Sequence, residues 1–195
     1  MPILYHMSCN ALRTNVAALV NMIDIVQCEP SAMVEGSDTA ERQRRHSDCP
    51  EDGLFLFNTD VGLSAEGVFE VLYHKGHEYW GLTPQFNVPP KPDYQTWTVQ
   101  GENFGIFTCF DIFWPEPAKE YVKNGIRLFM YPVQMGLIGD ETVIKHWSKR
   151  ENSVIFASNT CVTSKITTGC GMVFSNGSEL AGEVGRAHTN PLTPN

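Results

Sequence analysis

The strongest constraint on the fold is a rhythm across residues 54–175, where short apolar runs of strand length, punctuated by turn residues, alternate with segments of helical period. LFLFNTDVGL (Leu54 to Leu63) and VFEVLYHK (Val68 to Lys75) flank SAEG, which ends on Gly67, and read as a β-hairpin with Lys75 closing its second strand. TWTV (Thr96 to Val99) and FGIFTCF (Phe104 to Phe110) enclose QGEN and read as a second hairpin, which puts Cys109 at the end of a buried strand. AKEYVKNG then predicts a short helix closed by Gly125, and IRLFMYP a strand stopped by Pro132. ETVIKHWSKREN carries Val143, Ile144 and Trp147 on one helical face, SVIFAS and CGMVF are further strands, and SNGS is a turn. Strand pairs alternating with helices predict layered α/β structure in one domain, with no internal repeat and no inter-domain linker.

Ahead of this region, Leu4, Met7, Ala11 and Leu12 fall at helical spacing, and Ala17 to Val26 reads as a buried strand. Residues 29–52 are polar, aperiodic and rich in turn formers, the signature of a surface loop. Cys28 and Cys49 flank it. A bridge between them would restrict the unfolded chain by closing a long loop; the alternative is two reduced thiols at the loop's ends.

Composition narrows the function. With 195 residues, of which 42% are hydrophobic and 11% aromatic, the chain can build a real core. A formal charge of -8 and no basic run beyond RQRR (Arg42 to Arg45) set nucleic acid aside, because that partner needs a basic surface to displace counterions. No apolar run reaches the roughly 18 to 20 residues that span a bilayer, and MPILYHMSCN lacks the basic and apolar regions of a secretory signal. The six cysteines include no CxxC pair, and His74 and His77 of HKGH lack a third ligand nearby, so neither a metal nor a cofactor is expected.

The chemistry concentrates in FGIFTCFDIFWPEP, Phe104 to Pro117. A cysteine that only packs in a strand needs no Asp, Trp, Pro and Glu behind it. Read as a unit, CFDIFWPE resembles the signature around the nucleophile of the nitrilase superfamily of carbon-nitrogen hydrolases. FGIFTCFDI, FNTDV (Phe57 to Val61), YHK (Tyr73 to Lys75) and QFNVP (Gln85 to Pro89) resemble the branch that contains the vanins, or pantetheinases, and biotinidase. WSKREN, ASN and TGCGMVFSNG extend the resemblance downstream, so that it covers nearly the whole chain.

The resemblance implies an α-β-β-α sandwich, present here in part, and a thiol-dependent amidase that cleaves a linear amide of a vitamin conjugate, pantetheine or a biotin amide, through a thioester. Cys109 would be the nucleophile, Lys75 the triad lysine, and the backbone N–H of Phe110 an oxyanion donor. An ammonium near a thiol favours thiolate and then stabilises the alkoxide formed on attack. Glu78 stands as the candidate for the second glutamate that follows the lysine, and the pairing of Cys28 with Cys49 follows the family pattern. Cys170 occupies a position where serine is usual and reads as a packing substitution; Cys9 and Cys161 read as core or loop thiols. Asn176 opens the sequon Asn176-Gly177-Ser178, usable in a secretory compartment. The family's extracellular or membrane-anchored location is expected with it.

Two departures bear on activity. The triad glutamate would precede the first helix, so the chain reads as lacking the N-terminal part of its domain, and also the C-terminal module of the vanin branch. Glu51 of PEDG is an alternative base, but FNTDV directly after it aligns this segment with a later loop. Met135 stands where vanins carry Trp, which leaves the amide substrate open. A catalytically silent form serving interaction or regulation is the competing expectation.

Overall fold

Helix α1 (Pro2–Thr14) leads into β1 (Ala18–Gln27), which pairs antiparallel with β2 (Leu54–Leu63), and β2 pairs antiparallel with β3 (Phe69–His74). The structure, a computed structural model, describes residues 2–28, 49–79, 86–134, 140–162 and 167–183. Its described residues divide into two compact units, 1–93 and 94–195.

In the first unit the sheet order is β1-β2-β3. Val61 and Leu63, two apart on β2, share one face and pack with Ala11 of α1, with Leu4 and Met22 beside them. The hairpin turn is tied to the same helix: Ser8 Oγ donates to the Gly67 carbonyl at 2.6 Å. Gly67 has φ +75°, and a Cβ there would lie 2.6 Å from the Ser8 carbonyl oxygen, so only glycine allows this approach. β1 differs from expectation. It is an edge strand, not a buried one, with Ile23, Ile25 and Val26 at 52%, 53% and 40% exposure. Asn21 and Asp24 break its apolar run and make side-chain bonds across the sheet instead.

The second unit is a six-stranded mixed sheet, ordered β4 (Thr96–Val99), β5 (Glu102–Ile106), β6 (Leu128–Val133), β7 (Val154–Val162), β8 (Thr167–Ser175) and β9 (Ser178–Glu183). β5, β6 and β7 run parallel; the other neighbours are antiparallel. A 3-10 turn (Cys109–Phe113) and α2 (Ala118–Lys123) connect β5 to β6, and α3 (Asp140–Glu151) connects β6 to β7. Phe107, Phe129, Tyr131, Ile144, Trp147, Ile155 and Phe174 fill the core, each at most 3% exposed. Gly105 makes this packing possible: a Cβ on it would come within 2.7 Å of the Phe129 ring.

Three boundaries move. Gln100 and Gly101, with φ +52° and +84°, form a two-residue turn, so β5 starts at Glu102 and ends at Ile106. Cys109 therefore lies three residues beyond its strand. Pro132 sits inside β6, opposite Ser158 of β7. It is tolerated there because the ladder with β5 stops at Met130, leaving a local edge on that side. Finally, Asn176 and Gly177, with φ +48° and +78°, turn β8 into β9, a strand not anticipated from the sequence.

Candidate functional site

Cys109 occupies a strained position. It opens the 3-10 turn with φ +47°, a left-handed conformation that non-glycine residues adopt at a cost of roughly 1–3 kcal/mol and that persists only where surroundings enforce it. Those surroundings are polar and buried. The fully buried Asp111 accepts the Thr108 N–H at 3.0 Å on its carboxylate and donates its own N–H to the Thr108 carbonyl at 3.0 Å. The hydroxyl of Tyr131, a residue 1% exposed on β6, donates to the Cys109 carbonyl at 2.7 Å. Thus Thr108 and Asp111 fix the residue before the thiol, and Tyr131 fixes the peptide after it. Cys109 is half-buried, and its thiol lies 3.9 Å from the Gln134 carbonyl, a weak contact.

In the first unit, Lys75 follows β3 directly, and its backbone N–H extends the ladder to the Asn58 carbonyl at 2.9 Å. The residue is only 4% exposed, a rare state for lysine unless its ammonium is paired. Glu78 Oε2 lies 3.1 Å from its Nζ. The preceding residue is anchored as well: the His74 N–H donates to Asp93 Oδ2 at 3.2 Å, and its Nε2 lies 3.3 Å from Asp24 Oδ2. Asn87 then clamps β2 from the Pro-rich loop, its side-chain oxygen accepting the Leu56 N–H and its N–H donating to the Leu56 carbonyl, both at 2.7 Å.

Among the remaining candidates, Cys28 and Cys49 are joined by a disulfide, with Cα atoms 5.9 Å apart. Glu51 lies in the turn between Cys49 and β2, exposed to solvent. Asn176 is exposed at the β8–β9 turn. Cys9 is an exposed thiol on α1, neither core nor loop, because it falls on the helix face opposite Ala11. Met135 lies outside the described residues, and the side chains of Cys161 and Cys170 lie outside those described on β7 and β8. No group of three or more His, Cys, Asp or Glu side chains able to hold a metal occurs among the described residues. No described helix is long and apolar enough to cross a membrane.

Sequence reasoning passed over Tyr131, Asp111, Asp93 and Asn87. Only Asp111 left a local signal, the Thr108-x-x-Asp111 spacing of a capping box. The others meet their partners across 19 to 31 residues of chain, which no short window reveals.

The fold is that of the carbon-nitrogen hydrolases. A carbon-nitrogen hydrolase from Helicobacter pylori superposes on 93% of this chain and 62% of its own length, with TM-score 0.67 at 15% identity. Within that class the chain groups by sequence with the vanin and biotinidase branch of the nitrilase superfamily. It is 32% identical over 184 residues to a human pantetheine hydrolase, which covers 92% of the chain and 32% of the relative. A biotinidase from Takifugu rubripes is 31% identical over 175 residues, 87% of the chain and 32% of the relative. The chain thus spans about a third of the length of the curated relatives it matches. No protein-family model matches it.

Proposed function

We propose that the chain is part of a carbon-nitrogen hydrolase domain that cleaves a linear amide of a vitamin conjugate, such as pantetheine or a biotin amide, with Cys109 as nucleophile. The observation that carries this reading is the strained, multiply supported conformation of Cys109. Strain of this kind is retained where a reactive side chain must stand clear of its backbone. In the proposed reaction the thiol gives up its proton and adds to the amide carbonyl, the C–N bond breaks as the alkoxide collapses to a thioester and the amine leaves with that proton, and water cleaves the thioester to the acid and the free thiol. The Phe110 N–H serves as a donor to the alkoxide; Lys75, held by Glu78 at 3.1 Å, is the lysine that the family resemblance assigns to catalysis.

Secretion or anchoring at a cell surface belongs to the same proposal. A disulfide between Cys28 and Cys49 favours an oxidising compartment, and Asn176 offers an exposed acceptor for a glycan.

The test is hydrolysis of pantetheine and of a biotinyl amide by residues 1–195, with Cys109→Ala alongside. Any turnover should fall at least 1,000-fold in the variant, since the route depends on the covalent step. Turnover that survives the substitution would remove Cys109 from the mechanism.

A further inference from the structure

Tyr131 has no role in the chemistry set out above, yet its hydroxyl donates to the carbonyl of Cys109 at 2.7 Å from a side chain that is 1% exposed. That carbonyl and the N–H of Phe110 belong to one peptide group. The only cis bond recorded among the described residues is Glu116–Pro117, so the Cys109–Phe110 bond is trans. In a planar trans peptide the C=O and N–H point in opposite directions. Holding one therefore aims the other. We infer that Tyr131 is a positioning residue that sets the direction of the Phe110 N–H toward the oxyanion formed at Cys109. The inference rests on the proposed reading of Cys109 as nucleophile and of Phe110 as oxyanion donor.

Two further observations support a task specific to this peptide. Cys109 has φ +47°, so its flanking peptides are not held by ordinary backbone preference, and the two Thr108–Asp111 bonds close the turn around it without using an atom of the Cys109–Phe110 peptide itself. Tyr131 is also rigidly mounted. It lies on β6, paired with Ala157 of β7, and its ring packs on Phe107 with centroids 5.0 Å apart. Replacing it with phenylalanine removes one oxygen and leaves those contacts.

The test separates oxyanion stabilisation from thiol reactivity without requiring turnover. Carbon-13-labelled propionaldehyde is titrated into residues 1–195 and followed by NMR. The Cys109 thiol adds to the aldehyde: a bond forms between Sγ and carbon, the π electrons move to oxygen, and the thiol proton ends on that oxygen. The hemithioacetal oxygen then occupies the position the Phe110 N–H serves. Alkylation of Cys109 by iodoacetamide, which creates no oxyanion, is timed in parallel, and Cys109→Ala subtracts every other thiol.

For Tyr131→Phe we expect the aldehyde Kd to rise about 10-fold, a partial form of the 100- to 1,000-fold loss in kcat typical when an oxyanion donor is removed. The alkylation rate should stay within 2-fold and the circular dichroism spectrum should not change. An unchanged aldehyde Kd overturns the inference alone. Aldehyde binding and alkylation falling together also overturn it, because Tyr131 would then act on the whole site. A wild-type chain that alkylates at Cys109 but forms no hemithioacetal overturns the proposed function and this inference with it.

Discussion

At the scale of single residues, the chain spends polar contacts where it must hold an unfavourable state. Cys109 at φ +47° is supported by Thr108 and Asp111 beside it and by Tyr131 from β6, and Lys75 at 4% exposure by Glu78 three residues on. Tyr94 is a further case. Lost hydration and then a hydrogen bond to Glu116 push its phenol up to about 12 from 10.0. Because the raised value favours the neutral form in the folded state, this contribution is fully present below pH 10. It is lost as pH climbs from 10 toward 12, where the unfolded phenol ionises first. An ultraviolet absorbance titration should find the Tyr94 midpoint raised well above 10.0. Glu116→Gln should bring its midpoint down.

At the scale of elements, the hairpin over Leu54 to His74 and the helix over Asp140 to Glu151 were legible because each combines a clear period with a turn or cap residue. The limits of β5 were not. Phe107 and Thr108 continue the apolar, β-branched composition of the strand, while the Thr108–Asp111 pair turns the chain aside. Local composition could not outvote a bond made three residues ahead. Pro132 misled for a related reason, since its tolerance depends on where β5 stops pairing. The sheet also predicts a sharp sensitivity at Gly105. Alanine there would meet the Phe129 ring at 2.7 Å and the Tyr121 ring at 3.1 Å. We expect Gly105→Ala to cost about 1–3 kcal/mol, the usual range for overpacking, measured as a lowered denaturant midpoint with unchanged slope.

At the scale of the whole molecule, the motifs carried the family and pointed to Glu78 near Lys75, but not to Tyr131 or Asp111, which hold the backbone around Cys109. The two units described, 1–93 and 94–195, carry Lys75 and Cys109 respectively. Their stability need not be equal. Among its described residues the first unit has three strands and one helix, and β1 exposes Ile23 and Ile25. It depends on the crosslink between Cys28 and Cys49, which closes a separation of 21 residues. Loop-entropy arithmetic assigns about 3 kcal/mol to a crosslink of that span. Reduction with a mild thiol should therefore lower the urea midpoint followed through the first unit. The reduced protein should recover on reoxidation.

The same crosslink has a topological consequence. β1 lies before Cys28 and its partner β2 after Cys49, so the pairing that begins at Gln27 and Leu54 is bracketed by a covalent bond. A protease that cuts the chain once anywhere between residues 28 and 49 would yield two pieces that still migrate as one. They would separate on a gel only after a reductant is added, and the strand register would survive the cut.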